Sequence, residues 1–440
     1  MKLPEQVLTC IRRLESAGYL AYCVGGCVRD NLLGIIPQDY DLCTNATPDV
    51  IASVFADHTL VRSGEKHGTI GVVFDKTVYE ITTFRTEGGY VDNRHPDWVR
   101  FVPTVEEDLA RRDFTINAMA YNPAQGLVDP FGGQQDLENR VLRAVGAPAQ
   151  RFSEDSLRIL RGVRFALRFQ LTPETETKEA MFRLTPLMDN LARERVFEEL
   201  CKLILQATAQ DLLRYSPILT QVIPELATAV DFCQHSPHHA YDVFTHTAYV
   251  VENVPPVLSL RLAALFHDIG KPQVFTMDEN GRGHFKQHAP AGAQIADGIL
   301  RRLKAPNALR EQVVFLIDKH MLPLEPDRKL LRRRLSQYGE ENCRLLLKLQ
   351  KADFMSKGVP TDEHPQFASV SEMIDLIIRE DDCLGIRDLA VNGNDLIALG
   401  IPAGSQIGRI LDSLLEQVQQ EQIRNEKTVL LEAAKEINHS

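Results

Sequence analysis

The segment Cys23-Val-Gly-Gly-Cys-Val-Arg-Asp30, followed after a short gap by Asp39-Tyr-Asp41, decides how the amino-terminal part of this chain is read. Residues 20–24 have strand character, Gly25-Gly26 marks a turn and 28–33 a helix. Two glycines between a strand and a helix start let backbone N–H groups approach a phosphate without Cβ obstruction, and the helix dipole favours the anion. Asp39 and Asp41 lie two apart on a strand predicted over 40–43, so both project to one face and can share a divalent cation. Each feature alone also has a plain reading: Gly-Gly is common turn punctuation, and two aspartates flanking a tyrosine make an ordinary surface.

Working outward, Thr47-Pro48 caps a helix through Phe55, and the β-rich runs 69–74 and 77–84 are separated by Asp75-Lys76, a hairpin signal. The first 150 residues are therefore read as α+β around a small mixed sheet. After Phe152 nearly everything is helical, with Leu157, Leu160, Val163 and Leu167 recurring at three and four residues. This arm ends near Thr208. The stretch 212–358 carries most of the histidines, and beyond the polar segment 358–365 a final helical region sets Ile407, Ile410, Leu411, Leu414, Leu415 and Val418 on one face. The expected domains are 1–150, 151–210, 211–358 and 359–440.

At 440 residues the chain is long enough for several domains, and 44% hydrophobic with 25% charged residues is an ordinary globular composition. The net charge of -11 argues against a surface that coats nucleic acid everywhere, while leaving room for a local basic groove. No run reaches the roughly 18 apolar residues of a membrane span and no signal peptide is visible, so no membrane partner and a cytoplasmic location are expected. The eight cysteines show no repeated CxxC spacing and read as reduced, mostly buried thiols. Oligomeric state leaves no trace in the sequence.

A Gly-Gly turn, Arg29-Asp30 on the following helix and the Asp39/Asp41 pair together resemble the signature of the nucleotidyltransferase superfamily related to DNA polymerase β. Two blocks narrow this: Glu107-Asp-Leu-Ala-Arg-Arg-Asp-Phe-Thr-Ile-Asn-Ala118 and Phe152-Ser-Glu-Asp-Ser-Leu-Arg-Ile-Leu-Arg-Gly-Val-Arg-Phe165 are similar to blocks of class II tRNA nucleotidyltransferases and bacterial poly(A) polymerases. The resemblance implies that Asp39 and Asp41 are catalytic and hold Mg²⁺, with Glu80 a candidate third acidic group unless it faces solvent from an edge strand. It further implies that Gly25, Gly26 and Arg29 bind nucleotide, that Arg111 and Arg112 line the triphosphate or base pocket, and that Asp113 and Asn117 hold the loop or ribose. The implied base reader is Glu154-Asp155-x-x-Arg158. Asp155 and Arg158, three apart on one helix, can face one ligand, the carboxylate accepting from an exocyclic amine and the guanidinium donating to ring acceptors. CTP and ATP offer that pattern; UTP and GTP present a carbonyl there. Arg158, Arg161, Arg164 and Arg168 are candidate phosphate contacts along the arm, residues 85–100 resemble the family's flexible loop, and Arg193-Glu194-Arg195 resembles a block of the neck that supports the pocket.

Further along, Ala264-Leu-Phe-His267-Asp268-Ile-Gly-Lys271 follows His246 and precedes Asp353, an order that resembles the HD phosphohydrolase superfamily. Imidazole with carboxylate suits Mn, Fe, Ni, Co or Mg and diagnoses none of them. His288 and His320 fall where HD proteins with two metals place extra ligands. The implied chemistry is metal-assisted hydrolysis of a phosphate ester; the alternative is a degenerate helical spacer with packed histidines. Arg301, Arg302, Lys304, Arg310, Arg328, Lys329, Arg332, Arg333 and Arg334 crowd this region and read as a groove for an RNA backbone or as a solvated helical face. The tail 389–411 also resembles that of CCA-adding enzymes. The reading is a class II CCA-adding tRNA nucleotidyltransferase carrying an HD domain, with tRNA, CTP and ATP as partners, Mg²⁺ in the transferase site and a divalent transition metal or Mg²⁺ in the HD site. The runners-up are a poly(A) polymerase, an A-adding or CC-adding relative, and an HD phosphohydrolase with a degenerate head.

Overall fold

The computed structural model describes residues 1–88, 98–359, 366–380 and 384–439. The chain forms two compact units, one of Met1–Ala207 with Arg214–Pro224, the other of Thr208–Leu213 with Glu225–Ser440.

The first unit is α+β. Helix α1 (Glu5–Ser16) buries Val7, Cys10, Ile11 and Leu14, one stripe at helical spacing. Its sheet follows: β1 (Ala21–Val24), α2 (Gly26–Leu32), β2 (Leu42–Thr44), α3 (Pro48–Val54), β3 (Leu60–Val61), β4 (Thr69–Phe74) and β5 (Thr77–Thr83). Asp75 and Lys76 both take positive φ, 46° and 71°, as the two-residue turn between β4 and β5 requires. A hairpin of β6 (Arg85–Gly88) and β7 (Trp98–Phe101) leads to α4 (Val105–Ala110), β8 (Ala120–Asn122), β9 (Gly126–Val128) and α5 (Gly133–Glu138). The seven-stranded sheet runs β3-β4-β5-β2-β1-β8-β9, with β2 and β5 parallel and the other pairs antiparallel, so it is mixed as expected. Tyr22, Val24, Cys43, Phe84 and Leu109 pack in its core.

Two expectations need correction here. Glu80 is on β5, an interior strand, and not on an edge. Asp39 and Asp41 precede β2 instead of lying within a strand. The reason is that β1 turns away at Gly25: Asp41 O still accepts from Val24 N (3.0 Å), but no strand residue remains opposite Asp39 and Tyr40.

The arm comprises α6 (Pro148–Glu154), α7 (Leu157–Phe169), α8 (Thr175–Arg183) and α9 (Arg193–Ile204). Helix α7 buries an apolar face together with the guanidinium stems of Arg158 and Arg164. The second unit is built almost entirely of helices. Its tail helix Ser405–Gln419 buries Ile410, Leu411 and Leu414, with Ile407, Leu415 and Val418 packed beside them, as the apolar spacing predicted. Among the described residues seven cysteines are free thiols, five of them buried, and burial pushes Cys10 up to about 12; Cys383 lies outside the described residues.

Candidate functional site

The amino-terminal site is assembled where β1, β2 and β5 start or stop. Gly25, at φ 76°, ends β1 and opens α2. A Cβ there would sit 2.8 Å from Arg112 Nη1, so the bare backbone is what lets this guanidinium lie across the turn. Arg112 and Arg111 are aimed by the buried Asp108, which holds them at 3.3 and 3.0 Å. The parallel register Leu42↔Ile81 places Glu80 one step further along, beside Asp41. Asp41 is held above the ordinary carboxylate range, first by the surrounding protein; Arg112 counters this, while Glu80 and Asp39 add repulsion. Asp41 thus feels two further exposed carboxylates and the Arg112 guanidinium; oxygen donors suit a divalent cation, but among the described residues these three do not gather their oxygens within 4.8 Å of one another.

The second unit brings all six HD candidates together. His246 projects from helix Val243–Asn253, His267 and Asp268 follow helix Leu258–Phe266, His288 opens helix His288–Arg302, His320 follows helix Asn307–Lys319, and Asp353 lies on helix Glu340–Met355. Every histidine Nδ1 is bound to a backbone carbonyl: His246 to Ser356 O (3.1 Å), His267 to Ala264 O (2.8 Å), His288 to Phe285 O (2.8 Å) and His320 to Ile317 O (2.7 Å). Each Nε2 is thereby turned inward, the orientation metal-binding imidazoles receive from such outer partners. His246 Nε2 lies 3.0 Å from Asp353 Oδ1 and 3.6 Å from Asp268 Oδ2, His267 Nε2 3.2 Å from Asp268 Oδ2, and His288 Nε2 3.5 Å from Asp268 Oδ1 and 3.2 Å from His320 Nε2. Two triads result, His246–His267–Asp268 and Asp268–His288–His320, sharing one carboxylate. His246 Nε2 and His267 Nε2 are buried without a hydrogen bond, and Asp268 Oδ2 meets Lys271 Nζ at 2.7 Å while keeping lone pairs toward the imidazoles, so the donor set fits metal. Burial pushes His320 down to about 4, which leaves it neutral. Gly270 makes the close approach possible: a Cβ there would lie 2.4 Å from His288 O and 2.5 Å from Gly292 N.

The chain matches the poly A polymerase head domain over residues 21–143, a probable RNA- and SrmB-binding site of polymerase A over 170–230, and a putative tRNA nucleotidyltransferase domain 2 over 290–434. It is 32% identical to a CCA-adding enzyme of Streptococcus suis, over 98% of this chain and 96% of that one. With a CCA-adding enzyme of Geobacillus kaustophilus it shares 34% identity, over 97% and 96%. The chain belongs to the CCA-adding enzymes. The crystal structure of the Bacillus stearothermophilus CCA-adding enzyme in complex with CTP is 28% identical, with a TM-score of 0.74 over 100% of this chain and 98% of that one. A Thermotoga maritima CCA-adding enzyme complexed with tRNA, 20% identical with a TM-score of 0.60 over 98% and 95%, shares the fold. A CCA-adding enzyme is a nucleotidyltransferase that uses divalent metal, and the class II resemblance read from the sequence holds along the whole chain. Among the described residues no helix is long and apolar enough to cross a membrane.

In this CCA-adding enzyme the residues expected to read the base differ from their expected geometry. Asp155 is extended, between α6 and α7, and so does not share a helix with Arg158. Its Oδ1 accepts from Leu157 N (3.1 Å) and its Oδ2 pairs with Arg195 Nη2 (2.9 Å), and a carboxylate capping the start of α7 stands outside that helix. Arg158 donates to Glu154 Oε2 (2.9 Å), Arg151 O (3.0 Å) and Arg111 O (3.0 Å), tying α7 to the arginine pair beside Gly25. Arg195 came from the sequence only as support for the pocket; its Nη1 is buried without a hydrogen bond next to this motif.

Arg29, Asp113, Asn117, Arg161 and Arg164 form one polar chain. Arg29 is buried, pairs with Asp30 (2.7 Å), donates to Asn117 Oδ1 and lies 4.4 Å from the Phe169 ring centre. Asn117 Nδ2 donates to Asp113 Oδ1 (3.0 Å), Asp113 pairs with Arg161 (2.7 Å), and Arg164 Nε donates to Glu199 Oε2 (2.6 Å). Glu199 was not among the sequence candidates; its signal was a charged residue on the inward face of the α9 apolar stripe. Burial pushes Asp113 up, but Arg161 and Asn117 outweigh it and hold the carboxyl well below its usual range. Stability from this group is therefore full above the unfolded-state pKa, near 3.9, and is lost as pH falls through the lower folded value. Asp113→Asn is expected to cost about 3 kcal/mol at pH 7. Urea unfolding of this variant and the parent should show the difference narrowing below about pH 4.

Residues 89–97 of the expected flexible loop lie outside the described residues. Arg168 is exposed, 3.8 Å from Asp30. In the expected basic groove Arg301 pairs with Asp297 (2.6 Å), Arg302 with Glu225, Arg328 with Glu380 and Arg332 with Glu421 (3.2 Å), whereas Arg333 is exposed.

Proposed function

We propose that Asp39, Asp41 and Glu80 hold Mg²⁺ for template-independent addition of CCA, from CTP and ATP, to the 3′ end of tRNA. The observation that carries this is the β2–β5 pairing that brings Glu80 beside Asp41, with the Arg112 guanidinium at the Gly25-Gly26 turn. Mg²⁺ bound there supplies activation of the 3′ hydroxyl and neutralisation of charge on the α-phosphate and departing pyrophosphate. The open backbone at Gly25-Gly26 and the Arg111–Arg112 pair, aimed by Asp108, receive the triphosphate. The head spans 1–150, the base-reading neck 151–210, the HD domain 211–358 and the tail 359–440; exposed Arg168 and Arg333 are the basic side chains we assign to RNA, in a cytoplasmic enzyme. The test is incubation with tRNA lacking its 3′ end, each labelled NTP and Mg²⁺. Extension by C, C and A supports the reading, and extension by A alone in a long ladder makes the protein a poly(A) polymerase.

Asp155 and Arg158 select the base. Arg195 and Leu157 N fix the Asp155 carboxylate, whose remaining lone pairs accept from an amine of C or A and repel the carbonyl of U or G. Asp155→Ala or Arg158→Ala should thus relax selection against UTP and GTP about tenfold more than it weakens triphosphate affinity. Single-turnover incorporation with all four NTPs measures this; unchanged selectivity sinks the assignment.

The HD cluster is proposed as a metal-dependent phosphohydrolase centre. His246, His267 and Asp268, with Asp353, would hold one ion, and Asp268, His288 and His320 a second. The donor set accepts a transition metal or Mg²⁺.

A further inference from the structure

The cavity over the two triads encloses about 340 Å³, and its wall carries cationic and imidazole groups beyond the ligands: Lys271, Lys286, Lys357, His239 and His284. His239 is the one whose surroundings call for a ligand. It belongs to neither triad, yet its ring packs edge-on against that of His246, centroids 5.0 Å apart. The four metal-facing histidines each anchor Nδ1 on a backbone carbonyl, whereas His239 Nδ1 is buried without a hydrogen bond. Enclosed with neither solvent nor partner, Nδ1 is best left unprotonated, which puts the imidazole N–H on Nε2, the ring nitrogen left for the cavity.

Its loop is fastened on both sides to the cavity lysines. Ala240 N donates to Lys357 O (2.9 Å), on the segment whose Ser356 O anchors His246. Tyr241 O accepts from Gln234 Nε2 (3.1 Å), and the Oε1 of the same buried amide accepts from Lys271 Nζ (2.8 Å), itself 2.7 Å from Asp268. The Tyr241 ring stacks on Tyr249 and closes over Gly358, at φ 70°, where a Cβ would fall 2.3 Å from it. His239 thus lines the same cavity wall as Lys271 and Lys357, outside the two triads.

We propose that His239 is a substrate-binding residue of the HD centre, its imidazole N–H gripping a non-bridging oxygen of a phosphate ester whose charge Lys271 and Lys357 balance. This rests on the phosphohydrolase reading above. His239 forms and breaks no bond; it positions the anion beside the metal ligands.

The test uses the full-length, metal-loaded protein with His239→Ala and His239→Gln. Metal is counted by plasma mass spectrometry, inorganic phosphate binding by calorimetry, and KM and kcat with p-nitrophenyl phosphate. Both variants should keep the parent's metal content. The alanine variant should bind phosphate about tenfold more weakly, with KM rising more than kcat falls, and glutamine, which restores a donor, should recover part of the loss. Loss of metal would make His239 a ligand, and unchanged phosphate affinity would make it a packing residue; either overturns the proposal. If the metal-loaded parent binds no phosphate, the phosphohydrolase reading itself falls, a result distinct from both.

Discussion

Asp41→Ala lowers nucleotide addition by a factor of about 10³ or more while tRNA affinity stays close to that of the parent. The loss is large because Asp41 is the carboxylate that feels both Asp39 and Glu80, just before the strand that pairs with β5, so its removal takes away the link between the two others. A metal that stabilises developing charge on a transferring phosphoryl group contributes several kcal/mol to the barrier, and about 1.4 kcal/mol is tenfold in rate. Binding of RNA relies instead on contacts along its backbone, which this substitution leaves in place. The check is single-turnover addition of CTP to a tRNA lacking its 3′ end, beside filter binding of the same RNA. Parental rates in the variant would refute the site.

His267→Ala combined with Asp268→Ala empties the HD cluster of metal, removes any phosphohydrolase activity and leaves CCA addition within about threefold of the parent. Asp268 reaches both triads, 3.2 and 3.6 Å from His267 and His246 through Oδ2 and 3.5 Å from His288 through Oδ1, so one substitution opens both sites. Asp39, Asp41 and Glu80 lie in the other compact unit and belong to neither triad. Metal analysis, a phosphatase assay and CCA addition on one preparation measure the three outcomes. Collapse of CCA addition in a variant that keeps its circular dichroism would show that the two chemistries are coupled.

Much of this was legible because it is local. The Asp75-Lys76 hairpin, the Gly25-Gly26 break between β1 and α2, and the tail helix with Ile410, Leu411 and Leu414 inward each rest on neighbours within a few residues. That the six HD candidates gather was foreshadowed by their order along the chain, which resembles that of the HD superfamily. By itself, then, the sequence determined the α+β head, the helical remainder and which side chains can carry the chemistry, since backbone conformation and side-chain type are local properties.

Tertiary structure alone decided what those side chains are bound to. Glu80 stands beside Asp41 because β5 joins β2 in a parallel pairing from nearly forty residues away. Asp155 answers to Arg195 across 40 residues and Arg164 to Glu199 across 35. His239 faces the HD cavity because Ala240 is bonded to Lys357. None of these partners leaves a spacing signal, because a pairing across a folded core depends on which surfaces close-pack and not on separation along the chain.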